Sequence, residues 1–350
     1  MLILGIESSC DETAAAVVRD GKEILSSVIS SQTDLHRPYG GVVPEIASRD
    51  HLSKIDGVVQ QSLQEARADL NEIDVIAVTQ GPGLVGSLLV GVCYAKALAF
   101  GKQLPIIGIN HIEGHFYSVV FENPPIEYPA LALIVSGGHT NLFYVPEEGK
   151  YKVVSRTRDD AAGEAFDKAA KLMGLGYPGG PIIEELARSG DPHAMKFTRP
   201  KISDGRPDFS FSGLKTALSK LLKNADGQGE DFKANLAAGF QRAIVDQLAG
   251  ITERALSNFS VKTIIVAGGV ACNMELRKAM QKVGMDRGTP VYFPSKHLST
   301  DNASMIAAAA YSKFLRGEFS SMRITADITM RLQNMENIDD KLRGKVRYRL

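Results

Sequence analysis

The chain repeats one structural pattern in its two halves. Residues 4–18, LGIESSCDETAAAVV, predict an apolar strand, a small polar turn and a second strand, and residues 131–145, LALIVSGGHTNLFYV, predict the same arrangement. Later in each half, at 74–91 and at 263–280, an apolar strand leads through a glycine-rich turn into a helix. Two copies of such a unit predict a duplicated α/β fold with two lobes.

The predicted lobes divide a chain of 350 residues. We expect an N-terminal lobe at 1–109 and a C-terminal lobe at 110–325, whose last helix, at about 301–316, packs back on the first lobe. A second candidate boundary is the stretch 123–129, which is rich in Pro and begins with Asn. Residues 326–350 are expected to form a basic C-terminal extension.

The charge balance of the chain limits where a polyanion can bind. Lys and Arg together number 40, as do Asp and Glu, so the net charge is zero and a nucleic acid must bind to a local patch. The sequence KLRGKVRYRL at 341–350 has five basic residues and no acid. It is either an RNA contact or an idle solvated tail.

Cysteine content and hydropathy indicate a cytoplasmic protein. The three cysteines are far apart and form no CxxC pair, which is typical of a reducing compartment. The start MLILGIESSCDET lacks the basic residues of a signal peptide. The most apolar window, 84–100, is interrupted by Ser87 and Lys96, so we expect a buried helix there rather than a membrane span.

The glycine-rich turns are candidate binding sites for an anion. A turn between a strand and a helix exposes backbone N–H groups where the helix dipole also favours negative charge. A single such turn is a weak signal, because glycine often only permits a sharp bend. The hairpin turns of both halves, together with Gly268-Gly269, predict a nucleotide in the cleft between the lobes.

Two histidines suggest a metal site. The sequence NHIEGH places His111 and His115 one helical turn apart on one face, and Asp301, just before an alanine-rich helix, offers a third ligand. This set leaves open coordination positions, as in catalytic Fe(II) or zinc sites, with iron the first choice. The alternative is two unrelated histidines, with Asp301 or Thr300 only capping the helix. Glu113 does not have the HExxH spacing, so the general base of a metalloprotease is missing.

A further candidate lies in DDAAGEAFDKAAKLMGLGYPGGP, at 159–181, which predicts a helix and a glycine-rich loop before the next helix. Asp167 could accept hydrogen bonds from a hydroxyl or amine of a ligand. It could equally be an exposed helix partner of Lys171, and spacing alone does not choose.

Taken in order, these motifs resemble the TsaD family, the tRNA N6-adenosine threonylcarbamoyltransferases once labelled O-sialoglycoprotein endopeptidases, in its bacterial branch. The resemblance spans residues 3–312 and is carried by IESSCDETAAAVV, YGGVVPEIASRDH, GPGLVGSLLVG, NHIEGH, VSGGHT, DDAAGEAFDKAAKLMGLGYPGGP, FSFSGLKTA, AGGVACN and TDNASMIA. It implies an actin-like, two-lobed fold of the acetate kinase, sugar kinase and Hsp70 superfamily with an interlobe cleft. It also implies transfer of a threonylcarbamoyl group from threonylcarbamoyl-adenylate to N6 of adenosine 37, forming t6A, in tRNAs that read codons beginning with A.

The resemblance also implies site residues and partners. His111, His115 and Asp301 match the ligands of one divalent metal. The matching substrate-binding positions are Ile134, Val135, Ser136, Gly137, Gly138, Asp167, Gly180 and Asn273, with Glu184 and His139 as further candidate contacts. The implied partners are tRNA, a TsaB-like paralogous actin-fold protein, a TsaE-like P-loop ATPase and the enzyme that makes the adenylate, with no membrane.

The chemistry of such a transfer defines the tasks of the site. A donor that carries AMP as its leaving group needs positioning and polarisation of its carbamoyl carbonyl or phosphate, which a metal with open positions can supply. The adenine amine is poorly basic, so Asp11 or Glu12 could take its proton, although both could equally be structural turn residues. Two other functions remain open, an ATP phosphotransferase on the same fold and a non-catalytic scaffold.

Overall fold

The computed structural model describes residues 1–197, 206–223 and 230–335. In chain order, the strands within these ranges are β1 Leu2–Glu7, β2 Glu12–Arg19, β3 Glu23–Ser31, β4 Val75–Gly81, β5 Ile106–Asn110, β6 Ala130–Val135, β7 Thr140–Val145, β8 Lys152–Arg156, β9 Thr263–Ala267 and β10 Val291–Tyr292. The α-helices there are α1 Thr33–His36, α2 Pro44–Ala66, α3 Val85–Lys102, α4 His111–Tyr117, α5 Ala162–Met173, α6 Gly179–Ala187, α7 Ser212–Lys223, α8 Glu230–Leu256, α9 Met274–Arg287, α10 Lys296–Ser299 and α11 Ala303–Leu315.

Two five-stranded sheets share one topology. The strand order is β3-β2-β1-β4-β5 in the first sheet and β8-β7-β6-β9-β10 in the second. In each sheet the strand that opens the unit pairs antiparallel with the next strand, β1 with β2 and β6 with β7. The same strand pairs in parallel with a later one, β1 with β4 and β6 with β9. The repeated order confirms the duplicated α/β fold predicted from the sequence.

The central strands are almost entirely apolar because helices pack against them. Ile3, Leu4 and Ile6 of β1 have no exposed surface, as expected for a strand covered on both faces. Gly5 lies under α11, where a methyl group would come closer than 3.0 Å to the backbone oxygen of Ala303. Only glycine therefore allows this helix to approach β1 so closely.

The chain forms two compact units. Among the described residues, unit 1 comprises Met1–Pro125 and Pro294–Leu332, and unit 2 lies within Ile126–Phe293 and includes 333–335. The predicted boundary at 109/110 is therefore wrong, because β5 leads directly into α4, which packs on α11 in unit 1. The alternative boundary in 123–129 contains the observed one.

The end of the chain also differs from the predicted division. Helix α11 packs on β1 and α4, so the last helix belongs to unit 1. The segment after it stays with the same unit, because the N–H of Asp327 donates to the backbone oxygen of Gln80 at 2.9 Å. The basic tail at 341–350 lies outside the described residues.

Helix α3 lies in the apolar window noted in the sequence. Among the described helices it is the one that could cross a membrane by length and composition. It buries Leu88, Val92 and Ala95 and contacts β4. A helix of a globular unit meets the same criteria, and here one face is buried against the sheet, whereas only a third of the helix is buried rather than all of it as predicted.

Candidate functional site

Three neighbouring parallel strands of unit 1 end beside the two histidines. Because β1, β4 and β5 lie side by side, their carboxyl ends meet at one edge of the sheet, a frequent location of binding sites in α/β folds. β1 ends at Glu7, and β5 runs into Asn110, whose side chain caps α4 by accepting from the N–H of Ile112 at 2.9 Å. Helix α4 then carries His111 and His115, both buried.

His111, His115 and Asp301 come together as the sequence predicts. Oδ1 of Asp301 lies 3.5 Å from Nε2 of His111 and 3.2 Å from Nε2 of His115. One ligand atom from each of the three residues lies within 4.8 Å of the others. Two ligands at ~2.0–2.1 Å from a tetrahedral zinc ion are separated by about 3.3 Å. The three side chains therefore have the spacing of a ligand set for one small cation.

The hydrogen bonding of His115 also indicates a site for a cation. This side chain has no exposed surface, and no described residue forms a hydrogen bond with either of its ring nitrogens. Buried polar atoms without partners are rare and costly in folded proteins. A cation next to His115 Nε2 would satisfy one of them, so the residues present fit a metal ion.

His111 is held by a second carboxylate. Its Nδ1 lies 3.1 Å from Oε2 of Glu7 and 3.1 Å from Oγ of Ser9. Burial alone would lower the pKa of His111, but the charges of Asp301 and Glu7 raise it to about 9. The surroundings of the ring thus favour positive charge, which either a proton or a metal ion can supply.

The capping alternative for Asp301 is wrong. Helix α11 begins at Ala303 and its N-cap is Asn302, whose Oδ1 accepts from the N–H of Met305 at 3.0 Å. Because Asn302 performs the capping, Asp301 is left facing the two histidines.

Asp11 ends the turn between β1 and β2, and Glu12 is the first residue of β2. Burial, with the negative charges of Asp11 and Asp301, raises the pKa of Glu12 well above its usual range. The turn is held from α2 by His51, whose ring nitrogens lie 2.7 Å from Oγ1 of Thr13 and 3.0 Å from the backbone oxygen of Cys10. Glu12 is thus a carboxylate of raised basicity at the end of a fixed turn, and the charge of Asp301 contributes to that rise.

In unit 2, the turn after β6 is the counterpart of this turn. Ile134 and Val135 are fully buried within β6, so they support the turn and have no surface of their own. The N–H of Ser136 donates to the backbone oxygen of His139 at 2.8 Å, which closes the turn. Gly137 and Gly138 are exposed at its tip.

These two glycines leave open space. A Cβ atom at Gly137 or Gly138 would meet nothing within 4 Å, and neither residue has a positive φ. By contrast, Gly268 after β9 has φ +95°, and a Cβ there would come closer than 3.0 Å to the backbone oxygen of Val135. Gly268 is therefore needed for packing, whereas Gly137 and Gly138 keep a backbone surface accessible to a ligand.

The remaining predicted contacts are already engaged within unit 2. Oδ1 of Asp167 accepts from the N–H of Gly179 at 2.7 Å, next to Gly180, where a Cβ would again meet nothing within 4 Å. Asn273 caps α9 and donates to Oε1 of Gln241 at 2.7 Å. Hydrogen bonding thus places the carboxylate of Asp167 at the start of α6 and the amide of Asn273 at the start of α9.

A cavity of about 850 Å³ lies between α6, α8 and α9. Glu184, Gln241 and Met274 line it, together with cationic side chains such as Lys278 and Lys282. Oε1 of Glu184 accepts from the N–H of Met274 at 2.9 Å, which fixes one wall. A cavity of this size can hold a ligand of nucleoside dimensions.

Sequence reasoning missed Glu7 and Ser9, which contact His111, and Thr79, which donates to Glu7. A charged residue at the end of an otherwise buried strand is the signal that could have identified Glu7. It also missed Asp159. Oδ1 of this residue accepts from the N–H of Phe211 at 2.7 Å and so caps α7, which begins 53 residues later in the sequence.

The two equivalent sheets define the class of fold. HypF from T. kodakarensis superposes with a TM-score of 0.59 at 13% identity, covering 91% of this chain and 48% of that one. Component A of the Acidaminococcus fermentans (R)-2-hydroxyglutaryl-CoA dehydratase gives 0.52 at 16% identity, covering 89% and 98%. The fold is the actin-like ATPase fold, with the two-lobed α/β architecture predicted from the sequence.

The family follows from closer relatives. Residues 23–308 match the model of the TsaD family, tRNA N6-adenosine threonylcarbamoyltransferase. Enzymes of that name from Desulfitobacterium hafniense and Thermodesulfovibrio yellowstonii are 50% and 51% identical, over 93% of this chain and 95% and 98% of theirs. The chain belongs to this family, and its activity is the transfer of a threonylcarbamoyl group to tRNA, the synthesis of t6A. Of the functions considered from the sequence, the match selects the transferase.

Proposed function

We propose that the donor is threonylcarbamoyl-adenylate and that the acceptor is N6 of adenosine 37, in tRNAs that read codons beginning with A. The observation that carries the proposal is the convergence of three ligand atoms, with Nε2 of His111 and Nε2 of His115 lying 3.5 Å and 3.2 Å from Oδ1 of Asp301. A phosphotransferase or a scaffold has no use for such a set, whereas transfer from an activated carbonyl has one.

These three residues would hold one divalent metal, Fe(II) by preference and Zn as the alternative. When bound, the metal supplies Lewis-acid polarisation of the donor's carbonyl or phosphate oxygen. The protein side chains keep the ligand atoms in place, because α4 is capped by Asn110 and packs on α11. Asp301 brings a negative charge that lowers the net charge of the loaded site.

Unit 2 would bind the adenylate. The exposed turn at Gly137 and Gly138 presents backbone N–H groups that can approach a phosphate without a side chain in between. The cavity bordered by Glu184 and Met274 would accept the nucleoside, and Asp167 and Asn273 would recognise polar groups of the donor. In this assignment the backbone N–H groups of the turn hold the phosphate, without a charged side chain.

Glu12, or its neighbour Asp11, would accept the proton that leaves the adenine amine. The amine must lose a proton as its nitrogen forms the new bond to the carbamoyl carbon and AMP departs. A carboxylate whose pKa is raised well above the usual range holds that proton more readily at neutral pH.

The partners follow from the family and from exposed apolar side chains on two neighbouring helices. Leu52 on α2 and Phe100 on α3 are 71% and 76% exposed, although both helices pack on the sheet of unit 1 with their other faces. We assign these outward faces of α2 and α3 to a TsaB-like actin-fold partner. A TsaE-like ATPase and the adenylate-forming enzyme would complete a cytoplasmic system. The tRNA would bind through basic residues.

Reconstitution tests the reaction. The purified chain is mixed with the three partners, tRNA, threonine, bicarbonate and ATP, and t6A is measured by mass spectrometry, with preformed threonylcarbamoyl-adenylate replacing its synthetic enzyme in a second arm. We expect t6A in both arms, none with a tRNA that has guanosine at position 37, and none with His115→Ala. The matched control is His297→Ala, because His297 is an exposed histidine of the same unit. Full activity of His115→Ala would contradict the proposed metal site.

The partner surface needs its own variant. Leu52→Glu should prevent co-elution with the TsaB-like protein while leaving metal content unchanged. Unchanged co-elution would remove α2 from the interface.

A further inference from the structure

Glu7 is a fully buried carboxylate with polar partners at both of its oxygens. Among the described residues, its Oε1 accepts from the N–H of Ser9, and its Oε2 accepts from Oγ1 of Thr79 at 2.7 Å and lies 3.1 Å from Nδ1 of His111. None of its surface is exposed. Removing a carboxylate from water is costly, and a buried one persists only where its oxygens are hydrogen-bonded and its charge is balanced. Its hydrogen-bonding partners here are Ser9, Thr79 and His111, and a cation held by His111 would balance its charge.

The arrangement determines which nitrogen of His111 carries hydrogen. An ionised carboxylate accepts hydrogen bonds and donates none, so Nδ1 of His111 must be the donor in this pair. A neutral imidazole with hydrogen on Nδ1 has its lone pair on Nε2. Nε2 is the atom that faces Oδ1 of Asp301, at 3.5 Å. The hydroxyl of Ser9 also touches Nδ1, but a hydroxyl can donate or accept and therefore cannot select a tautomer.

We infer, on the basis of the metal site proposed above, that Glu7 is a positioning residue that fixes His111 as the Nδ1–H tautomer and so presents Nε2 to the metal. A ligating histidine commonly donates its other ring N–H to a carboxylate, which also makes the ligand nitrogen more basic. Glu7 reaches this position because β1, β4 and β5 end at the same edge of the sheet. The parallel pairing of β1 with β4 and of β4 with β5 brings Thr79 and His111 next to it.

The substitution Glu7→Gln tests this role because its effect on the tautomer can be worked out. If the amide oxygen faces Thr79 and His111, the amide NH₂ meets the N–H of Ser9, a clash of two donors against fixed backbone. If the amide is turned, its oxygen accepts from Ser9 and its NH₂ points to Nδ1 of His111. The hydroxyl of Thr79 can rotate to accept, so the second orientation is favoured. It requires a bare Nδ1 and moves the ring hydrogen to Nε2, which then cannot ligate.

We expect Glu7→Gln to weaken binding of Zn²⁺ and Co²⁺ about 10- to 100-fold, the usual effect of removing such a partner, as measured by competition with a chelating dye. Ser9→Ala should change affinity less than Glu7→Gln. The matched control is Glu113→Gln, because Glu113 is also a buried carboxylate and lies on α4, but it pairs with Lys313 at 3.5 Å. Its metal affinity should equal that of the wild type. Equal affinities of wild type and Glu7→Gln would overturn the inference.

A measurement on the wild-type protein covers the case in which Glu7→Gln does not fold. In the zinc-loaded chain labelled with ¹⁵N-histidine, long-range ¹H–¹⁵N correlations should show His111 bound through Nε2 and protonated on Nδ1. Ligation of His111 through Nδ1 would refute the role of Glu7 while leaving the metal site in place. Failure of the wild type to bind either metal would instead refute the proposed site, and the role of Glu7 with it.

Discussion

Gly137 and Gly268 should respond in opposite ways to substitution, because only one of them is surrounded by other atoms. Gly268→Ala places a methyl group closer than 3.0 Å to the backbone oxygen of Val135, at a φ of +95°. This backbone conformation, with ψ 165°, is confined almost entirely to glycine and costs ~1–3 kcal/mol for a residue with a Cβ, and overpacking costs a further ~1–3 kcal/mol. Together these terms predict a loss of about 2–6 kcal/mol. At ~2–4 °C per kcal/mol for a unit of this size, the melting temperature should fall by about 4–24 °C.

Gly137→Val should leave stability within about 0.5 kcal/mol of wild type, because a Cβ there meets nothing within 4 Å. A ligand seated against this peptide would meet three added carbon atoms. If that contact costs ~1–3 kcal/mol, as overpacking does in a core, donor affinity should fall about 5- to 150-fold.

Two assays separate the effects. Differential scanning calorimetry measures the melting temperature of each variant, and titration calorimetry with a non-hydrolysable analogue of threonylcarbamoyl-adenylate measures affinity. A stable Gly137→Val variant with wild-type affinity would refute the donor-binding role of the turn. A Gly268→Ala variant as stable as wild type would refute the packing argument.

Four further outcomes are expected. His115→Ala should abolish the rise in melting temperature that zinc gives the wild type, a stabilisation of ~2.7 kcal/mol at 100 times Kd, as followed by scanning fluorimetry. Glu12→Gln should lower kcat ~10²- to 10⁴-fold without changing donor affinity, and an unchanged kcat in single-turnover assays would exclude it as proton acceptor. Asp159→Ala should cost ~1–2 kcal/mol in urea unfolding because α7 loses its cap. Removing residues 341–350 should raise KM for tRNA and flatten the salt dependence of binding, and unchanged values would show that the tail is idle.

The sequence predicted what depends on local pattern. The duplicated unit, the pairing of His111 with His115 and the glycine turns all follow from strand alternation, helical spacing and turn composition, which act over a few residues. The lobe boundary was misplaced because it depends on a long-range contact: α4 packs on α11, and the two are separated by almost 200 residues. Glu7 and Asp159 were missed for the same reason, since their partners lie 104 and 52 residues away.

The duplication also explains why one topology serves two chemistries. Thr13 after the first turn bonds to His51, and Thr140 after the second accepts from the N–H of Ala162 at 2.9 Å, so each turn is held at an equivalent place. The charge of what each turn can bind depends on the residues around it. In unit 1 the strand ends in Glu7 and the turn carries acids, which favours a cation. In unit 2 the strand ends in Val135 and glycines follow, which leaves N–H groups for an anion. The first turn thus favours a cation beside it, such as the metal proposed for His111, His115 and Asp301, and the second favours an anion, such as the phosphate proposed for the donor.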